Sequence, residues 1–399
     1  MQESRTADVV IVGAGLMGCS TAHALAKRKV GRVLTLERDV IGSGATGKSS
    51  GVLRCHYGHP VLAYMAWKSL ETFRFSHEVL GDDVGYRPIG YMVGVGPDNL
   101  AALDANLRML QEVGIDTRFL NPEEARRLWP QMEMGDFTGF AYEPLGGHAD
   151  PALTVQAYAR LAREAGAEIV QSCPVNRILL SPDGSRIEGV ESTVFGRVYA
   201  PVVVVAAGVW TPFLTETMGF RVPIRAQREQ LLLIDPGTPL GSVPVYSDLV
   251  NLQYGRPEGS GHILVGNSDH SQPEFVHPDD YGRGVDDGYV EKAANKFMTR
   301  FPTLSQARLV TGYAGAYEVT PDYNPVIGSS PVEGLYLCAG FSGHGFKLSP
   351  VVGEMMASCI LEGHSGDPKI DLSLFRLSRF EEGELLTSLH PYQGAGQLR

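Results

Sequence analysis

Asp8-Val-Val-Ile-Val12 runs directly into Gly13-Ala-Gly15-Leu-Met-Gly18. The first five residues form a short, β-branched apolar run, the composition of a strand buried on both faces. The glycines match G-x-G-x-x-G at the opening of a helix that extends to Arg28. In this pattern Gly13 permits a tight turn, Gly15 lets backbone approach a pyrophosphate, and Gly18 permits close helix–sheet packing. The helix start offers unpaired N–H groups and a positive dipole end to phosphate oxygens. Val33 to Glu37 reads as the next strand. Glu37 falls where a carboxylate would accept hydrogen bonds from a ribose. A turn needing glycine for geometry alone would leave that acid to chance, so the unit is read as a dinucleotide-binding βαβ. The fingerprint does not itself choose between FAD and NAD.

Beyond this unit, helical spacing covers Ala63–Leu80, with Trp67, Leu70 and Phe73 on one face, and Asn99–Val113. From Pro151 the α/β character returns: a helix over Ala152–Ala165, a strand over Glu168–Gln171, and strands around Asn176–Leu180 and Ile187–Glu191 joined by Pro182-Asp-Gly184. Val202–Ala206 is a further buried strand, ended by Ala207-Gly208. Between Val222 and Val265 alternating residues and Pro/Gly turns predict an antiparallel sheet. Gly334–Cys338 reads as a core strand, followed by the glycine-rich Gly340–Gly345 and a helix beginning near Pro350. The predicted class is α/β: a discontinuous Rossmann-like domain over 1–85, 146–220 and 315–385, an inserted antiparallel-sheet substrate domain over 86–145 and 221–314, and a C-terminal tail over 386–399, with the mixed polar, glycine-containing stretch after Phe380 read as partly disordered.

Composition narrows the function. A formal net charge of −11 makes nucleic acid a poor partner. Five scattered cysteines do not form a disulfide framework and fit a reducing cytoplasm. No apolar run reaches the length of a membrane span, and the N-terminal run is too short for a signal peptide. Cys55, His56 and His59 lack a credible fourth ligand, so no metal is expected.

Gly42-Ser-Gly-Ala-Thr-Gly-Lys48-Ser-Ser-Gly51 is a run of small residues able to wrap backbone around a pyrophosphate. Together with Gly13–Gly18 and Glu37, Gly42–Tyr57, Val202–Trp210, Thr320-Pro321-Asp322 and Gly340-Phe-Ser-Gly343-His-Gly-Phe-Lys347, it resembles the D-amino acid oxidase superfamily in its sarcosine oxidase and glycine oxidase branch. The motifs run in the family's order through nearly the whole chain. The resemblance implies FAD in an extended cleft under a substrate domain. It places cofactor contacts at Gly13, Gly15, Gly18, Glu37, Arg38, Ser43, Ala45, Thr46, Gly47, Lys48, Ser49, Val175, Ala207, Gly208, Trp210, Gly343, His344, Gly345, Phe346 and Lys347.

The same resemblance makes Arg54 and Lys347 the ligands of a substrate carboxylate, Arg by a planar fork and Lys as a mobile point charge. Tyr57 and Tyr254 either close the substrate pocket or serve as structural tyrosines. Arg256 either adds charge to the pocket or braces a strand. His344 is read as orienting the flavin loop, because hydride transfer from a neutral amine needs no obligatory base. Two departures stand out. Where monomeric sarcosine oxidases attach FAD through cysteine, this chain has Gly315, so non-covalent FAD is expected. The strand that carries an oxygen-activating lysine there corresponds to Gly261–Gly266, which has none, so the electron acceptor is oxygen or another species. The expected reaction is oxidation of the C–N bond of a small amino, N-methylamino or cyclic imino acid to an imine that hydrolyses. The alternatives are a 2-hydroxy acid dehydrogenase, with His59 or His344 as base, and a flavin-bearing subunit of a hetero-oligomer.

Overall fold

The fold is given by a computed structural model that describes residues 5–259 and 261–394. At its centre Val9–Val12 pairs in parallel with Val33–Leu36 on one side and Val202–Val205 on the other. Glu168–Val170 and Leu335–Ala339 extend this parallel sheet outward, and Val326–Ser329 closes one edge antiparallel. The apolar run at the start is buried on both faces for a visible reason. Val9 and Ile11 join the core beneath the helices, whereas Val10 and Val12 join a second core on the opposite face. The helices Leu16–Lys27, Pro151–Glu164 and Gly345–Glu362 pack together over the first face. A four-stranded sheet containing Val175–Leu180 and Ile187–Ser192 covers the other through Ile178, Ile187, Val190 and Val198.

A separate eight-stranded sheet carries the rest of the site. Its order is Arg308–Val319, Arg225–Asp235, His262–Asn267, Gln253–Glu258, Val245–Asp248, Tyr91–Val95, Gly139–Glu143 and Arg118–Leu120. All neighbours are antiparallel except Val245–Asp248 against Tyr91–Val95. Side chains alternate across a pleated sheet, so register assigns each residue a face. Met92, Phe140, Leu232, Tyr246, Ile263 and Val265 lie on one face, packed with Phe297 and Phe301. The paired residues Gln227–Tyr317, Glu229–Gly315, Tyr254–Gly266, Ser247–Tyr254 and Tyr91–Glu143 occupy the other, which is polar and aromatic.

Four expectations change. The helix predicted over Ala63–Leu80 is two, Pro60–Arg74 and Ser76–Val79, parted at Phe75 with φ −111° and ψ 38°. The strand Arg308–Val319 belongs to the eight-stranded sheet and runs through the expected boundary at 315. The last long helix starts at Gly345, with Pro350 inside it. Proline removes the N–H that would reach the Phe346 carbonyl. The Ser349 hydroxyl donates to that carbonyl instead, at 2.9 Å. Finally, the expected tail is ordered over 386–394. Leu386 and Tyr392 are buried, and Asn99 exchanges hydrogen bonds with the Gln393 backbone at 2.7 and 3.1 Å. Residues 395–399 lie outside the described residues.

Candidate active site and cofactor cleft

A cavity of about 340 Å³ opens beyond the C-terminal ends of the parallel strands, the position that open α/β sheets reserve for ligands. Gly13 and Gly15 form part of its wall. Gly13 has φ +104°, and a Cβ there would stand 2.5 Å from the Ala206 carbonyl oxygen. Gly18 does not line the cavity. Its added Cβ would meet the Gly13 carbonyl oxygen at 1.9 Å, so this glycine lets helix and strand close up. The helix Leu16–Lys27 has no acidic residue in its first turn and no cap from its own N-cap residue Gly15, although the Thr46 hydroxyl accepts the Leu16 amide at 3.1 Å. That leaves its positive end available to an anion. Glu37 accepts the Ala14 and Asp39 amides at 2.7 and 2.9 Å, which fixes its carboxylate on the cavity wall.

Ser43, Ala45, Thr46 and Ser49 line one side, with Val175, Ala207 and Gly208 elsewhere on the wall. Gly47 lies behind the loop, its amide donating to the Gly42 carbonyl. Lys48 also leaves the cavity. Its Nζ donates to the Ser43 and Gly44 carbonyls at 2.7 and 3.1 Å, and its stem lies against Gly315. At the outer end Arg38 stacks over Trp210 at 4.1 Å, and both bond Asp279. Gly343, Gly345 and Phe346 line the wall at the start of the helix Gly345–Glu362, which also lacks a first-turn acid and a cap from its own N-cap residue. Cys338 reaches the cavity, but burial and Glu318 push its thiol far up, leaving it a poor nucleophile.

A second cavity of about 60 Å³ shares Ser50, Tyr317 and Gly343 with the first. Arg54, Lys347, His344 and Tyr254 meet in its wall. Of the two places expected for His344 and Lys347, cofactor and substrate site, both side chains line this adjoining cavity and neither lines the larger one. Both cations are buried, and Lys347 is pushed well below the ordinary lysine range by burial and then by Arg54. Arg54 stacks on the Tyr57 ring at 4.5 Å and donates to the His56 carbonyl. Tyr57 is therefore a buried platform behind Arg54, with its ring 5.7 Å from that of His344. Burial and the two cations push His344 well below the usual histidine range. Burial pushes the Tyr254 hydroxyl up, and Ser50 and Tyr317 line the smaller cavity beside it. A Cβ on Gly266 across the strand would stand 2.3 Å from the Tyr254 ring, so glycine makes room for it. Arg256 braces the structure, donating to the Ser50 carbonyl and pairing with Glu258 at 2.7 Å. His59 caps the helix Pro60–Arg74 through Nδ1.

Several residues of the site escaped the sequence reading. Tyr91, Ser247, Ser268 and Tyr317 line the smaller cavity. Glu318 lines the larger one, its carboxyl pushed up to about 7 by burial while accepting the Gly340 amide at 3.0 Å. The two-residue period of a strand groups Tyr313, Gly315 and Tyr317 on one face, but only the pairing register joins that face to Tyr254.

Residues 8–359 match the model of a family described as FAD dependent oxidoreductase. The chain belongs to that family. It is 29% identical to human mitochondrial sarcosine dehydrogenase over 94% of this chain but only 41% of the relative, and so spans less than half of that protein. With sarcosine oxidase subunit beta from Arthrobacter sp. the identity is 27%, over 96% of this chain and 94% of the relative. The solved L-proline dehydrogenase from P. horikoshii superposes with a TM-score of 0.86 at 26% identity, covering 96% of this chain and all of that one. The cleft fits FAD: a glycine cradle that a Cβ would fill, two helix starts with no acid in the first turn, and a carboxylate beyond the second strand. Among the described residues no helix is long and apolar enough to cross a membrane.

Proposed function

We propose that the chain oxidises the C–N bond of a small amino, N-methylamino or cyclic imino acid. One observation carries this reading: Arg54 and Lys347, two buried cations, face a small cavity that adjoins the dinucleotide cleft. Buried like charges are costly unless a counter-charge joins them, and a substrate carboxylate supplies one. FAD, bound along the larger cavity, supplies the hydride acceptor. Arg54 binds the acid group by its fork, and Lys347 adds a charge-assisted hydrogen bond. Together they hold the substrate at the shared wall of Ser50, Tyr317 and Gly343, where orientation favours reaction. Tyr254 and Tyr317 close the side and exclude water. The hydroxy-acid alternative is less well served, because Nδ1 of His59 caps a helix and burial holds His344 well below the usual histidine range.

Names among the relatives support this substrate class, since they include sarcosine dehydrogenase, 4-methylaminobutanoate oxidase and L-proline dehydrogenase. Likeness to a sarcosine oxidase beta subunit supports a hetero-oligomer as the working form. Five buried free thiols support a reducing, cytoplasmic setting. With oxygen-activating lysine missing from His262–Asn267, a non-oxygen acceptor is the favoured electron sink. The test is anaerobic addition of sarcosine, L-proline, glycine and lactate to the yellow protein, followed by air. Bleaching of the flavin band by an amino acid and not by lactate supports the reading. Bleaching by lactate alone overturns it. Slow recovery in air identifies a dehydrogenase.

A further inference from the structure

Glu143 ends the strand Gly139–Glu143 on the polar face of the eight-stranded sheet, opposite Tyr91. It is 3% exposed. One carboxylate oxygen accepts the Cys55 amide at 2.8 Å, immediately after Arg54. The other has no hydrogen-bond partner and stands 4.0 Å from Nδ1 of His56, which also has none. Nε2 of His56 is bonded at 2.8 Å to the Tyr392 hydroxyl. Tyr392 comes from the segment beyond Leu386 and is buried among Tyr91, Val93, Leu103 and Val245. The chain around His56 is the one that accepts from Arg54, through the His56 carbonyl. Nothing in the proposed chemistry uses these buried groups.

Burial of this many polar atoms is expensive, and incomplete pairing makes it more so. A purely apolar filling would stabilise the fold at least as well. The arrangement does one thing that apolar residues cannot: it holds residues 54–56 from both sides, through the Cys55 amide and through the His56 ring. Burial and Arg54 hold His56 down to about 3, so the ring is neutral and carries a single N–H. With that proton on Nδ1, facing Glu143, Nε2 is free to accept from Tyr392.

We infer that Glu143, His56 and Tyr392 are positioning residues for Arg54, and that the C-terminal segment is thereby a working part of the substrate-acid site. The inference rests on the reading of Arg54 as the carboxylate ligand. The experiment uses the FAD-loaded full chain and propionate, a carboxylate with no amine to oxidise. Its dissociation constant is read from perturbation of the flavin band. Tyr392→Phe removes one oxygen and is expected to weaken propionate about five- to tenfold, with bound flavin unchanged. Glu143→Ala is expected to weaken it more than tenfold, and Glu143→Gln, which keeps an acceptor for the Cys55 amide, to recover most of the loss. A merely structural role would lower the melting temperature and leave the dissociation constant alone, and that result overturns the inference. Arg54→Met separates the two claims. If it weakens propionate while Tyr392→Phe and Glu143→Ala bind within twofold of wild type, the positioning role is wrong and the site reading stands. If Arg54→Met also binds like wild type, the site reading fails and takes the inference with it. Should Glu143→Ala fail to fold, Tyr392→Phe alone decides.

Discussion

Lys347 is the third residue of the helix Gly345–Glu362, a turn in which the helix dipole disfavours a cation. It is buried, and burial first and then Arg54 push its pKa well down. Lys347→Met keeps the length and apolar stem and removes only the amine. Two effects of opposite sign follow. Replacing buried charge by a packed apolar group is neutral or stabilising by about 1–4 kcal/mol. Unfolding entropy of roughly 2 cal/mol/K per residue converts about 2 kcal/mol in a chain of this size to a rise of some two to three degrees in Tm. Substrate affinity moves the other way, because one hydrogen bond to a charged group is lost, about 1.5–3 kcal/mol or roughly ten- to a hundredfold. The sign with pH is fixed as well. Folding depresses this lysine, so the unfolded chain binds the extra proton, and wild-type stability rises as pH climbs towards the ordinary value of 10.5. The Tm advantage of Lys347→Met therefore shrinks from neutral to alkaline pH. Calorimetry of the flavin-loaded protein across that range, with anaerobic substrate titration at pH 7, tests both. A variant that melts lower than wild type and binds substrate normally would refute the argument, for Lys347 would then be an ordinary structural side chain.

Three further outcomes are expected. Arg54→Lys keeps the charge but loses the fork and the stack on Tyr57, so KM rises about tenfold or more while limiting flavin reduction changes less; steady-state and rapid-mixing kinetics separate the two. Gly18→Ala forces a methyl against the Gly13 carbonyl, where no flexible atom can yield, and the expected product is insoluble or flavin-free; the ratio of visible to ultraviolet absorbance reads it. Asp322→Asn breaks a fully buried pair with Arg379, in which 2.8 and 3.0 Å bonds meet the carboxylate, and is expected to cost about 3–5 kcal/mol; denaturant unfolding measures it.

The cofactor half of the site was legible because its constraints are local. A strand that ends just before Gly13, a helix that starts just after Gly15, and an acid one strand later all fall within a short stretch, and sequence order nearly equals spatial order. Ser43, Thr46 and Gly343 were legible for the same reason, as small residues on the wall of the larger cavity. The substrate half depends on pairings between distant strands. Nothing near Tyr91 shows that Glu143 lies opposite, or that Tyr317 shares a face with Tyr254, until the register is known. The same logic explains two misplacements. Pro350 is a strong local signal for a helix start, but the Ser349 hydroxyl and the Ser69 side chain take the bonds that proline and its neighbour disturb, and the helix begins five residues earlier. The stretch after Phe380 reads as tail because it is mixed polar and glycine-containing. It is ordered by single anchors instead: Leu386 on Asp322, Gln393 on Asn99, Tyr392 on His56. Anchors of that kind carry no period, and each makes sense only beside its partner. That is why the residues tying the chain's end to Arg54 emerge from the fold and not from the motif that contains Arg54.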